Sequence, residues 1–223
     1  MTSRQIPLEL GHRPALDRAD LLVTAGNREA VSWIDSWPDW PSHAVALFGP
    51  EGCGKSHLVH VFAAKTRAEI ITADDLASVT PIELAQEHKA LAWDDAEAAA
   101  DETSVFHLYN AVREAGGHLL ICSRTPPARW PVTLPDLKSR LAAVPAVEIL
   151  PPDDATLIAL LAKLFRERQV GVSEDALTYI VNRIPRTFAA VQAVVGATDR
   201  AALGQGRKIS VPLIRDVLAE MQL

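Results

Sequence analysis

The sequence predicts an α/β fold: an αβα core around a five-stranded parallel sheet, followed by a small all-helical domain. Three observations carry that expectation. Residues 49–56 read GPEGCGKS, a phosphate-binding loop of the form G-x-x-x-x-G-K-[ST], set between an apolar run of strand length and a helical pattern. Strand and helix patterns then alternate as far as residue 150, as they do in an open parallel sheet with helices on both faces. Beyond Pro151-Pro152 only helical periodicities remain.

The elements follow in order. The first 20 residues, rich in Arg and Pro, are expected to form an extended arm. Residues 44–48 (AVALF) form the first strand, and in residues 57–65 Leu58, Val61 and Phe62 share one helical face. Residues 68–72 (AEIIT) and 88–95 (HKALAWDD) read as strands, the second ending in two acids. Val105, Leu108, Tyr109 and Val112 give residues 102–116 a helical stripe that stops at Gly116. Residues 117–123 and 145–150 complete the five strands. In the C-terminal part, Asp153 and Asp154 open a helix over 154–169, and Ser173 opens one over 173–184. Two more helices are expected at 186–203 and 210–222. The domains are then 1–20, 21–151 and 152–223.

Composition narrows the class. The 223 residues are 48% hydrophobic and 22% charged, ordinary for a globular chain, and the formal net charge of −6 speaks against non-specific nucleic-acid binding. No apolar run is long enough to span a bilayer, and the N-terminus lacks a signal-peptide core, so a cytoplasmic chain with no membrane association is expected. Cys53 and Cys122 make no disulfide framework and read as small buried hydrophobes. The seven His form no zinc pattern. Trp33, Trp37 and Trp40 read as a packing cluster.

The phosphate loop dictates the chemistry. Gly49, Gly52 and Gly54 let the backbone turn and aim N–H groups at phosphate oxygens, Lys55 supplies a charge for the β- and γ-phosphates, and Ser56 offers a hydroxyl to Mg²⁺. Asp94 at the end of the neighbouring strand is assigned to Mg²⁺, and Asp95 to the attacking water. Ser123 closes the next strand, where a polar group can contact the γ-phosphate. Arg124 beside it reads equally as a solvated loop residue. Arg140, within DLKSRL, and Arg186, expected in the first turn of a later helix, are each open to two readings: a phosphate contact or a solvated surface charge.

Together these motifs resemble the AAA+ ATPases, and within them the DnaA-related branch, over roughly residues 21–223. LLVTAGNREAV (21–31), with its G-x-x-N-R run, is similar to the segment that covers adenine in those proteins, which implies base contacts at Leu22 and Val23. GPEGCGKSHL resembles their Walker A, which brings Pro50, Glu51, Cys53 and His57 into the nucleotide site. LAWDDAE resembles their Walker B, and ICSRTPP their sensor 1 strand, although an acid usually follows the Ser where this chain has Arg124. DLKSRL resembles the box carrying an arginine finger, which implies that Arg140 acts in trans on a neighbour's nucleotide. RTFAAVQAVV resembles the sensor 2 helix, which implies that Arg186 reaches the nucleotide. The cofactors implied are ATP or ADP with Mg²⁺, with slow or absent turnover by the chain itself.

No helix-turn-helix domain is expected after the last helix, so the short form resembles the Hda-type regulators of the initiator DnaA. These carry a clamp-binding peptide of pattern Q-L-x-L-x-L, and this chain has Gln5, Ile6, Leu8 and Leu10 in matching places. A Gln amide with three aliphatic side chains suits an apolar pocket. The resemblance implies the sliding clamp and DnaA as partners, no direct sequence-specific DNA binding, and leaves assembly with further copies of itself open. The alternative function is an ATP-dependent helicase loader or remodeller of the DnaC type.

Overall fold

A computed structural model of the chain describes residues 21–98 and 101–223. The expected arm, with Gln5, Ile6, Leu8 and Leu10, lies outside the described residues.

All five strands form one parallel sheet. They are β1 (Ala44–Phe48), β2 (Glu69–Ile71), β3 (Ala90–Trp93), β4 (His118–Ser123) and β5 (Ala146–Glu148), in the order β2-β3-β4-β1-β5. The central strands are apolar along most of their length, β4 having His118 and Ser123 only at its ends, because both sheet faces are covered. Ala44, Ala46, Leu91, Trp93, Leu119 and Ile121 point to one face, into a core with Leu108 and Leu137. Val45, Leu47, Ala90, Ala92, Leu120 and Cys122 point to the other, against Val59, Phe62 and Ile34. On that second face Trp40 stacks on Phe62 at 5.4 Å between ring centroids, and Trp37 meets Phe62 edge-on at 6.3 Å. The tryptophans are packing groups.

Helices α1 (Arg28–Asp35) and α2 (Lys55–Thr66) precede and follow β1. Between β2 and β3 run two short helices that periodicity did not predict, α3 (Ala73–Ser78) and α4 (Pro81–Glu87). Six and seven residues are too few for a 3.6-residue period to declare itself. Their start signals are nonetheless present. Thr72 and Asp75 form a reciprocal capping box on α3, and Pro81 sits in the first turn of α4. Helix α5 (Glu102–Glu114) is capped by Asp101. Glu102 accepts from the backbone N–H groups of Thr133 and Leu134, which lead into α6 (Pro135–Ala142).

Strand β3 ends at Trp93, so Asp94 and Asp95 stand in the turn beyond it. After β5 the described chain is helical: α7 (Asp154–Glu167), α8 (Glu174–Val181), α9 (Phe188–Gln205) and α10 (Val211–Glu220). Asp153, Ser173 and Thr187 cap the first three of these. The four enclose their own apolar core, with Leu161, Phe165, Ile180, Val191, Val195 and Ile214 at its centre. Arg186 therefore precedes α9 instead of lying in its first turn, because Thr187, with extended backbone and a hydroxyl that accepts from Ala190 N at 3.1 Å, takes the cap position.

Candidate functional site

A cleft of about 810 Å³ opens between the C-terminal ends of the strands and the face of the helical domain made by α7 and α9. Glu51 through Leu58 form its floor, Asp94, Asp95 and Arg124 one wall, Leu21, Leu22 and Asn27 another. Its location is the end of a parallel sheet where open α/β folds bind ligands.

The phosphate loop owes its shape to its glycines. Gly52 and Gly54 have φ of +74° and +103°. A Cβ on Gly49 would stand 2.3 Å from the Ile149 carbonyl oxygen, and one on Gly52 would stand 2.5 Å from the Thr187 methyl. Gly54 hands the chain to α2, whose first residue is Lys55, so the unpaired N–H groups of that helix start face the cleft. The Lys55 ammonium donates to the carbonyls of Gly49 at 2.7 Å and Pro50 at 2.9 Å, spanning the loop. Phe188 N donates to Gly52 O at 3.3 Å, which brings the start of α9 onto the loop. Cys53 is buried among apolar groups, and burial raises its thiol pKa despite Lys55 nearby; full burial raises that of Cys122 further.

The acids of the wall are positioned by the turn after β3. Asp94 N donates to Ile71 O at 3.0 Å, and Asp95, with φ of +50°, turns the chain sharply there. Such a backbone is uncommon outside glycine, though Asp adopts it more readily than most residues. Asp95 N donates to the Asp94 carboxylate at 3.1 Å. Glu97 accepts from Thr125 N at 2.5 Å and Thr125 Oγ1 at 2.6 Å, tying the turn after β3 to the turn after β4. Ser123 is fully buried and its hydroxyl donates to Thr125 O at 2.7 Å, so it holds this turn instead of facing the cleft. Arg124 does face the cleft, 3.7 Å from the Glu51 carboxylate.

The third wall is built by one asparagine. Asn27, 6% exposed, accepts from Thr24 N at 2.7 Å through Oδ1 and donates to Leu22 O at 2.9 Å through Nδ2. This bridge folds residues 22–27 so that Leu22 enters the cleft. Val23 does not: it is 42% exposed and outside the lining.

Some of the residues singled out from the sequence meet here and some do not. Glu51, Gly52, Cys53, Gly54, Lys55, Ser56, His57, Asp94, Asp95 and Leu22 border the one cleft. Arg186 is outside the lining, paired with Asp154 at the start of α7 at 2.5 Å. Arg140 is also outside it, in the last turn of α6, with its guanidinium 5.2 Å from the centre of the Phe106 ring. Sequence reasoning missed the helical wall: Leu160, Lys163 and Leu164 of α7, and Phe188, Gln192, Gly196 and Arg200 of α9. The four-residue spacing of the α9 group puts it on one helix face, and a glycine at that spacing in mid-helix is the signal that was available.

A glycine loop between β1 and α2, two acids after β3, and a helical domain facing both define an α/β P-loop fold with a helical lid. The fold is similar to domain III of the replication initiation protein DnaA from Thermotoga maritima, with a TM-score of 0.75 at 16% identity over 93% of this chain and 97% of that one. AMPPCP-bound DnaA from Aquifex aeolicus matches with a TM-score of 0.71 at 18% identity, over 87% of this chain and 68% of that one. The RuvB Holliday junction branch migration motor of Thermotoga maritima matches with a TM-score of 0.62 at 16% identity, over 79% and 61% of the two chains. At these identities the likeness is one of fold. The family model of the Hda lid domain matches residues 153–218, which are helices α7 to α10 nearly in full. The described chain thus has the fold of DnaA domain III, and its residues 153–218 match an Hda-type lid. Among the described residues no helix is long and apolar enough to cross a membrane.

Proposed function

We propose that the chain is an Hda-like regulator of replication initiation. It binds ADP or ATP with Mg²⁺ in the cleft, docks on the sliding clamp through Gln5, Ile6, Leu8 and Leu10, and promotes hydrolysis of DnaA-bound ATP through Arg140. The observation that supports this best is the pairing of an Hda-type lid with a glycine-shaped phosphate loop across one cleft, while Arg140 stands outside it.

The residues present fit a magnesium nucleotide. Gly49 and Gly52 have no room for a Cβ against Ile149 and Thr187, so the loop stays tight, and the N–H groups at the start of α2 suit a phosphate. Ser56 and Asp94 both border the cleft, and Mg²⁺ in such sites takes one or two protein oxygens, with phosphates and water completing the octahedron. When bound, the metal neutralises charge that develops on the phosphates. Lys55 provides the point charge, Leu21, Leu22, Leu160 and Leu164 offer apolar surface to a base, and Asp95 is placed to orient a water.

Arg140 belongs to a different surface. Its contact with Phe106 holds the guanidinium in one place, and it borders no part of the chain's own cleft. A finger reaching a neighbour's nucleotide needs both properties, and an arginine can be worth ~10³-fold or more in rate there. Capture on the sliding clamp tests the docking half of the proposal. The wild-type chain is expected to be retained and a Gln5→Ala/Leu8→Ala variant lost; equal retention of the two would reject the docking motif.

A further inference from the structure

The end of the cleft away from the phosphate loop carries a guanidinium with no partner. We propose that this end is a second anion subsite, formed by Arg200 beside Arg168 and over bare Gly196, for a phosphate carried on a ribose hydroxyl of the bound nucleotide. The proposal rests on the adenine-nucleotide reading of the cleft and names the class of substituted nucleotide it favours.

Helix α9 measures the distance from the loop. Phe188 N, at its start, donates to Gly52 O at 3.3 Å, and a Cβ on Gly54 would stand 3.3 Å from the Phe188 ring. Gln192, Gly196 and Arg200 follow along the cleft wall at four-residue intervals. Gly196 therefore lies about 12 Å along the axis from Phe188, at roughly 1.5 Å per residue. Helix α7 runs beside α9 in the same direction. Asp154 at its start pairs with Arg186, just ahead of α9, and Arg168 at its end stands 3.7 Å from Asp199. Lys163, Glu167 and Arg168 thus face the same end of the cleft as Arg200.

The Arg200 side chain is turned back toward the loop. A Cβ on Gly196 would stand 3.4 Å from Arg200 Nη1, so the guanidinium lies over the preceding turn, the direction in which helical side chains lean. A glycine there leaves the wall open at the level of those N–H donors.

The charges at this end do not balance. Lys163 pairs with Glu167 at 3.7 Å, and Arg168, besides its contact with Asp199, donates through Nη1 to Leu164 O at 3.1 Å. Arg200 makes no hydrogen bond or ion pair among the described residues. Lys163, Arg168 and Arg200 against Glu167 and Asp199 leave one cation in surplus. The loop end has the opposite sign, with Glu51, Asp94 and Asp95 against Lys55 and Arg124. An anion at the nucleoside end of the ligand is therefore drawn to Arg200, whose planar fork can hold two phosphate oxygens at once. A nucleotide whose terminal phosphates rest on the loop spans the gap with its α-phosphate and sugar. A phosphate on the sugar then comes level with Gly196, while unsubstituted adenosine offers the guanidinium no anion.

Calorimetry on the full chain with Mg²⁺ tests this, using ADP and its two derivatives phosphorylated on the ribose 2′- or 3′-hydroxyl. At least one derivative is expected to bind wild type about tenfold tighter than ADP, the size of a charge-assisted hydrogen-bonded contact. Arg200→Ala should abolish that preference while ADP affinity changes by less than about twofold, and Arg200→Lys should keep part of it, having the charge without the fork. Retained ADP binding also shows that the variants are folded. Neither derivative binding tighter than ADP overturns the proposal, as does a preference that survives Arg200→Ala. Wild-type chain that binds none of the three would defeat the nucleotide reading itself.

Discussion

Replacing Asn27 by Ala isolates the one side chain that shapes the mouth of the cleft. The change removes two hydrogen bonds, to Thr24 N at 2.7 Å and Leu22 O at 2.9 Å, from a site only 6% exposed. Each such bond contributes about 0.5–1.5 kcal/mol net, so the loss is about 1–3 kcal/mol, with Thr24 N–H and Leu22 C=O left to find water. For a chain of this size about 1 kcal/mol lowers Tm by roughly 2–4 °C, which sets the expected drop at roughly 2–12 °C. Leu22 loses its anchor as well, so nucleotide affinity should fall alongside. Asn27→Asp separates the bonds, since the carboxylate still accepts from Thr24 N but has no donor for Leu22 O. Differential scanning calorimetry and nucleotide titration read both effects. Melting and nucleotide affinity of Asn27→Ala indistinguishable from wild type would refute the role given to this bridge.

Other expectations follow from the same geometry. Lys55→Ala should remove measurable binding of ADP and ATP, because the ammonium both spans the loop and supplies its charge; titration calorimetry showing unchanged affinities would displace the site. Burial lowers the pKa of His118 and of His43, whose Nε2 has no hydrogen-bond partner and which also lies near Arg113. The unfolded chain then binds more protons than the folded one below about pH 6.5, so the stability these groups confer is full above that pH and lost as pH falls through it. Tm should drop between pH 7 and 5, and a His43→Gln/His118→Gln variant should show a shallower drop; a slope unchanged in the variant would assign the dependence elsewhere.

Much of this was legible in the residues, for reasons that differ by element. The loop at 49–56 announces itself because phosphate binding fixes residue types at fixed spacing. The central strands are legible as apolar runs because both faces of a parallel sheet are buried. Helices α3 and α4 were not, being shorter than the window in which a period can be seen, though Thr72 and Pro81 marked their starts. The end of β3 before Asp94 was blurred because the apolar run gives no sign of where pairing stops, while the φ of Asp95 belongs to the turn. The lid wall of the cleft was illegible for another reason. Leu160, Leu164 and Gly196 look like any helix face until α7 and α9 are laid over the phosphate loop. Arg186 shows the converse: a motif pointed to the nucleotide, and the fold pairs the side chain with Asp154.

Arg140 is proposed to complete a site on another protein. Hydrolysis of DnaA-bound ATP, measured with sliding clamp loaded on DNA, tests it most directly when wild-type chain is compared with Arg140→Ala. Wild type is expected to accelerate hydrolysis, and Arg140→Ala is expected not to, while its nucleotide and clamp binding stay intact. Equal acceleration by the two proteins would contradict it.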